Sequence, residues 1–272
     1  MTTIVDRDVI VPLLRREFAA LEALCRDLTP QQWEQPTCLP GWSVKDNLSH
    51  IVGTELMLDG EQAPDVDVAH LEHVTNDIGT FNELWVESMR PLPGQEVLAR
   101  FREITDKRLS SLEQMDRESF DAEGFTPAGP DSYGRFMRIR LFDCYLHEHD
   151  IREALGHEDR LDAEQLDAVL DEVATGLGYV VGKKAGMPAG ERVRIRVTGP
   201  LPRDLDVEVA DRAHLVEELS GPATVQVTLP AMLFLRLGGG RRDATPHLGA
   251  DIELGGDEEL ARRLASSLAF TI

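Results

Sequence analysis

Apolar residues recur at helical spacing through residues 8–186 and at strand spacing beyond them. Over 8–28, Ile10, Leu13, Leu14, Phe18, Leu21, Leu24 and Leu28 fall on one stripe of an amphipathic helix. Thr29-Pro30 predicts its end, because a residue before proline is driven out of the helical region. A loop follows through Pro36-Thr37-Cys38-Leu39-Pro40-Gly41. Ser43, with Asp46 three residues on, has the form of a capping box, and the helix it opens carries Val44, Leu48, Ile51 and Leu58. Further helical runs are expected at 68–90, 95–116, 132–155 and 163–186. Pro91, Pro93 and Gly94 break the first from the second, and Thr126-Pro127-Ala128-Gly129-Pro130 breaks the second from the third.

After Gly186-Met187-Pro188 the period becomes two. Val193, Ile195 and Val197 alternate with Arg194, Arg196 and Thr198, and Leu205, Val207 and Val209 alternate with Asp206 and Glu208. A third strand is expected at 224–228 and a fourth at 252–254, with short helices at 230–237 and 257–268. The pattern predicts an all-α domain over 1–186 and a small α+β domain over 187–272.

Composition narrows the function. With 42% hydrophobic residues the chain can bury a core, and 49 acidic against 28 basic residues give it a net charge of −21. Such a chain repels phosphate backbones and anionic membrane surfaces, which argues against nucleic-acid and membrane partners. No apolar run has the length of a membrane span, and the acidic start lacks the basic region of a signal peptide. Three cysteines, Cys25, Cys38 and Cys144, are too few for a disulfide framework and point to a reducing cytoplasm.

Two segments offer metal-ligating side chains. Asp143 and His147 stand four apart and share one face of a helix. His50 lies on the helix that Ser43 opens, with Asp46 one turn earlier as ligand, partner or cap. If both helices join one bundle, His50, Asp143 and His147 can converge on one divalent cation and leave a coordination position open, the mark of a catalytic site. Asp150, three residues after His147, is placed to orient an imidazole. His149 is two positions from His147 and points elsewhere, while His70 and His73 sit among Glu72, Asn76 and Asp77 on what reads as a solvated face. Trp42 reads as packing behind the helix start, and Cys144 as a buried, inert thiol.

The string Leu39-Pro40-Gly41-Trp42-Ser43-Val44-Lys45-Asp46-Asn47-Leu48-Ser49-His50 resembles the signature of the mycothiol-dependent maleylpyruvate isomerase family, part of a DinB-like superfamily of metal-binding four-helix bundles. Asp143-x-x-x-His147-x-x-Asp150-Ile151-Arg152 is similar to that family's second motif, in which glutamate usually stands where this chain has Asp143. The resemblance implies a DinB-like helical bundle followed by a smaller, sterol-carrier-like α+β domain. It also implies a divalent metal, with zinc the leading candidate, and mycothiol as thiol cofactor.

The implied chemistry is direct. A cation with an open position favours the thiolate form of a thiol, the true nucleophile. In an isomerase the thiolate adds to a conjugated double bond, the adduct rotates about the resulting single bond, and elimination returns thiol and trans product. In an S-transferase the same thiolate attacks an electrophile and the conjugate leaves. Arg241 and Arg242 follow Gly238-Gly239-Gly240, a turn that can approach a ligand closely. The family uses an arginine of its C-terminal domain, and Arg241 is the positional match, suited to clamp a carboxylate; Arg236 is a weaker candidate. Two other readings stand beside the enzyme: a non-catalytic small-molecule or lipid binding protein on the same fold, and a regulatory protein that senses metal through its bundle.

Overall fold

The first helix, α1 (Arg7–Cys25), opens where the Asp6 carboxylate accepts from the Asp8 amide. In this computed structural model, which describes residues 2–270, a one-turn α2 (Pro30–Trp33) follows behind a Thr29–Gln32 capping box. α3 (Val44–Leu58) starts at the Ser43–Asp46 capping box that its sequence predicts, with each side chain bonded to the other's backbone amide. Next come α4 (Asp77–Met89), α5 (Gly94–Gln114), a short α6 (Arg117–Asp121), the two-residue hairpin strands β1 (Glu123–Gly124) and β2 (Asp131–Ser132), and α7 (Tyr133–Ala154).

α1 packs on α5 and α7, and α3 packs on the same two helices, so these four close into a bundle with α4 laid against α3. Leu14, Leu21, Leu48, Ile51, Leu98, Leu112 and Tyr145 are among its fully buried side chains, and Phe18 meets Phe101 edge to face at 5.9 Å. The segment 61–76, expected in part as helix from 68, is irregular. Asn76 caps α4 by accepting from the Gly79 amide at 2.8 Å, which fixes the helix start well after His70 and His73. Gly53 lets α4 approach α3: a Cβ there would stand 2.3 Å from Trp85 Cβ.

The second unit begins with α8 (Ala163–Tyr179), continued by a π-helical turn over Val180–Lys184. Five strands follow, β3 (Arg192–Thr198), β4 (Arg203–Val209), β5 (Ala213–Val216), β6 (Val225–Pro230) and β7 (Glu253–Gly256), in the order β5-β4-β3-β6-β7. β3 is antiparallel to β4 and parallel to β6, with Ile195 opposite both Leu205 and Val227. α9 (Ala231–Gly238) and α10 (Glu258–Ala265) pack on this sheet. Outward-facing Arg194 and Arg196 pair across the strands with Asp206 and Asp204, at 2.7 and 2.8 Å.

The boundary differs from the expected 186/187. The compact units are Met1–Arg160 and Leu161–Ile272. Helical period assigns α8 to the helical domain, but its apolar stripe packs on β4 and β5. Periodicity reveals that a face is apolar and is silent on which partner covers it. The fold is otherwise the expected one, a helical N-terminal region followed by a C-terminal sheet domain. Among the described residues no helix is long and apolar enough to cross a membrane.

Gly53→Ala is expected to lower the stability of the helical unit by about 1–3 kcal/mol through overpacking against Trp85. Urea unfolding followed by far-UV circular dichroism checks this, and an unchanged midpoint would show that α4 withdraws without cost.

Candidate metal centre

Burial decides the character of the α3–α7 seam. Asn47 and His50 from α3, and His147 and Asp150 from α7, are all buried polar groups, so each needs a partner inside the protein. Asn47 supplies one: its Oδ1 lies 2.7 Å from His147 Nδ1. The Asn47 amide nitrogen donates to Thr37 Oγ1 at 3.1 Å and to the Ser43 carbonyl at 2.9 Å, which turns the amide oxygen toward the imidazole. His147 Nδ1–H is therefore the donor in that bond, which leaves Nε2 as the nitrogen that can ligate a metal. That nitrogen stands 3.5 Å from Asp143 Oδ1, while His50 Nε2 stands 3.2 Å from Asp143 Oδ2.

The ligand-type atoms of His50, Asp143 and His147 all lie within 4.8 Å of one another. A tetrahedral ion with bonds of about 2.0–2.1 Å separates neighbouring ligand atoms by roughly 3.4 Å. The 3.5 Å edge from His147 Nε2 to Asp143 Oδ1 is close to that figure, while the 3.2 Å edge from His50 Nε2 runs to the other oxygen, Oδ2. The donor set fits too: two imidazoles and a carboxylate suit zinc and other first-row divalent ions. Both histidines are nearly closed off from solvent, whereas the Asp143 side chain is 29% exposed, so the group opens on one side.

Electrostatics prepares these residues as ligands. Burial pushes the His50 imidazole below its ordinary value, against the pull of Asp143 and with a smaller push from His147 and Arg140. A neutral ring keeps its lone pair for a metal. Burial also opposes charge on Asp143, but His50, Arg140 and His147 together outweigh it and hold the carboxyl well below the usual carboxylate range.

The remaining candidates take distinct places. Asp150 stands 3.4 Å from His147 Nδ1 and accepts from the Cys38 thiol at 3.2 Å, so Asn47 is the closer partner of that imidazole. Asp46 completes the capping box that Ser43 opens, its Oδ2 accepting from the Ser43 amide and hydroxyl, both at 2.8 Å. His149 faces the other way, toward the Tyr145 carbonyl at 2.7 Å. His73 meets the buried Glu83, while His70 is exposed, so neither joins the triad. Cys144 is sealed from solvent, and burial pushes its thiol well above the ordinary value. Cys25, equally closed off, is pushed up to about 12.

Trp42 does more than pack behind the helix start. Its indole ring lies 5.8 Å from His147, nearly parallel, and 5.2 Å from His50. Its Nε1–H donates to Glu83 Oε1 at 2.7 Å, which fixes the ring against both candidate ligands. Gly41 makes the preceding turn at φ +78°, and a Cβ there would stand 2.6 Å from the His73 ring. Beside this loop lies a cavity of about 420 Å³, whose walls include Thr37, Cys38, Trp42, Lys45 and Arg90.

Arg241 belongs to the second unit. It follows α9 after a turn in which Gly240 has φ +70°, and its Nη1 donates to the Gly239 carbonyl at 2.8 Å.

A helical bundle with a three-residue His/Asp centre, followed by a sheet domain, defines a class of two-domain proteins with a candidate metal site. Comparison supplies the family: the profile of the mycothiol maleylpyruvate isomerase N-terminal domain matches residues 14–152, and that of the family's C-terminal domain matches 167–263. The chain belongs to the mycothiol maleylpyruvate isomerase family, a family of enzymes. Among solved structures it is similar to the mycothiol-dependent maleylpyruvate isomerase and to a histidine-to-alanine mutant of that enzyme. The TM-scores are 0.59 and 0.60, each at 13% identity and covering 92% of this chain and 93% of the other. At that identity the likeness is one of fold. A search of the curated proteins finds no match.

Asn47→Ala is expected to free the His147 ring and weaken zinc binding about 10–100-fold while the bundle stays folded. Competition against a chromogenic chelator measures it; undiminished affinity would remove Asn47 from the site's support.

Proposed function

We propose that this enzyme is a metal-dependent, mycothiol-dependent catalyst that directs a thiolate at an electrophilic small molecule, with cis-trans isomerisation of a maleylpyruvate-type substrate as the leading reaction. The observation that carries this reading is the convergence of His50, Asp143 and His147 within 4.8 Å at a half-open position between α3 and α7. Family membership supplies the thiol and the substrate class. Zinc is the metal favoured by this donor set. When bound, the ion would lower the pKa of a coordinated thiol and hold it as the thiolate.

The chain's own residues do the rest. His50 and His147 present ring nitrogens, and Asp143 supplies one negative charge. Asn47 fixes the tautomer of His147, and Trp42 limits the motion of both rings. For isomerisation the thiol gives up its proton to solvent, and its sulfur forms a bond to the carbon of the substrate double bond conjugated with the carbonyl. The π electrons move into the adjacent carbonyl as an enolate, rotation follows about the former double bond, now single, and the electrons then return to form the trans alkene as the C–S bond breaks and the thiolate leaves. No protein cysteine is needed as nucleophile, and burial keeps Cys25 and Cys144 inert. An acidic chain needs local positive charge for a dicarboxylate, and Arg241 is the residue proposed to clamp it. S-transfer shares the first step and is the second activity to assay. A reducing cytoplasm suits a free thiol cofactor.

Chelation is expected to abolish thiol-dependent turnover, and added zinc to restore it. His147→Ala should lose bound metal and lower kcat/KM by about 10²-fold or more. Full metal content and activity in that variant would refute the ligand assignment. Arg241→Ala should raise KM with metal content unchanged; unaltered steady-state kinetics would take Arg241 out of the reaction.

A further inference from the structure

Behind Asp143 lies a run of buried charges of alternating sign. Arg140, one turn earlier on α7 and 3% exposed, ion-pairs through Nη1 with Asp143 Oδ2. Its Nε donates to Glu55 Oε1 on α3 at 2.9 Å, and its Nη2 lies 3.5 Å from Cys144 Sγ. The other Glu55 oxygen accepts from Arg108 Nε on α5 at 3.2 Å. Arg108 Nη2 in turn donates to the Tyr133 hydroxyl at 2.5 Å. Glu55, Arg108 and Arg140 are each 2–3% exposed, so the array joins three helices without solvent between them.

The guanidinium of Arg140 is a planar fork, and each of its three nitrogens has a different partner: Glu55, Asp143 and Cys144. It therefore has no rotational freedom to release Asp143. We infer that Arg140, locked by Glu55, is a positioning residue that competes with the cation for Oδ2 of Asp143, the oxygen that also faces His50 Nε2 at 3.2 Å, and so leaves Oδ1, toward His147, as the single oxygen offered to the cation. This rests on the proposed metal reading and extends it. A carboxylate gripped at one oxygen gives a cation one donor atom, where a free carboxylate can give two. One donor from Asp143 and one from each histidine keep the coordination number low and a position open for the thiol. The second consequence is electronic. The Arg140 charge draws density from the shared carboxylate, which makes it a weaker donor and the cation a stronger Lewis acid.

Cobalt(II) loaded into the full chain is the probe, because its visible absorption weakens as coordination number rises, and metal geometry is diagnostic of the ligand set. Wild-type protein is expected to bind one cobalt per chain with intense visible bands. Arg140→Gln combined with Glu55→Gln, which removes one charge of each sign, is expected to bind cobalt with bands weakened severalfold as both Asp143 oxygens engage. Arg140→Lys keeps the charge but not the fork, and the same weakening is expected; this variant decides the matter if the double variant does not fold. Folded, cobalt-loaded Arg140→Lys protein with a wild-type spectrum would overturn the inference while leaving the metal reading intact. Wild-type protein that binds no cobalt or zinc would overturn the metal reading itself, and the positioning role with it.

Discussion

The seam between α3 and α7 is governed by one requirement, that a polar group closed off from water must be satisfied by another polar group. Asn47, His50 and Glu55 come from one helix, and Arg140, Asp143, His147 and Asp150 from the other. Each finds a partner across or along the seam. An apolar seam could slide or rotate by a fraction of a turn with little change in energy. This one has a single register in which the His147–Asn47 bond and the Arg140–Glu55 pair form together. The geometry of the candidate site follows from that register, because His50 and His147 can meet Asp143 only where their helices are already fixed.

Two mechanisms hold the site from opposite sides. On the loop side, the turn at Gly41 brings Trp42 over both imidazoles, and Glu83 receives the indole N–H. On the helix side, the buried charges from Arg108 through Glu55 to Arg140 grip Asp143. Isolated buried charges cost far more than paired ones, so an array of alternating sign persists only where every member is matched. Asp143 is shorter by one methylene than the glutamate usual at this position of the family motif. A short side chain has less reach and fewer torsions, and the structure meets it with a fixed cation behind and two imidazoles in front.

Much of this was legible in the sequence, for reasons that differ residue by residue. The four-residue spacing of Asp143 and His147 and the capped helix carrying His50 are local signals, and local signals survive folding. The strands of the second unit announce themselves by strict alternation at 193–198 and 205–209. β5 does not, because an edge strand with His214 and Leu215 exposed has no apolar face to display. The start of α4 was obscured by a mixed polar stretch whose order comes from tertiary contacts such as His73 with Glu83. Asn47 carries no ligand signature by type, and its role exists only when His147, one hundred residues away, is placed beside it. Arg140 carries no ligand signature by type, and its burial follows from α7 being covered around most of its circumference. A helix surrounded by protein loses the one-sided pattern from which inside and outside are inferred.

The indole over the two histidines has one more consequence, an optical one. Trp33 and Trp85 are shut in the core at 2% and 4% exposure, each against a glycine of a neighbouring helix. Trp42 alone of the three stacks on imidazole rings. Its fluorescence is therefore expected to respond to the charge and ligation of His50 and His147, over a background from the two core indoles. Such a built-in reporter would follow occupancy of the candidate centre in real time, without label or coupled assay.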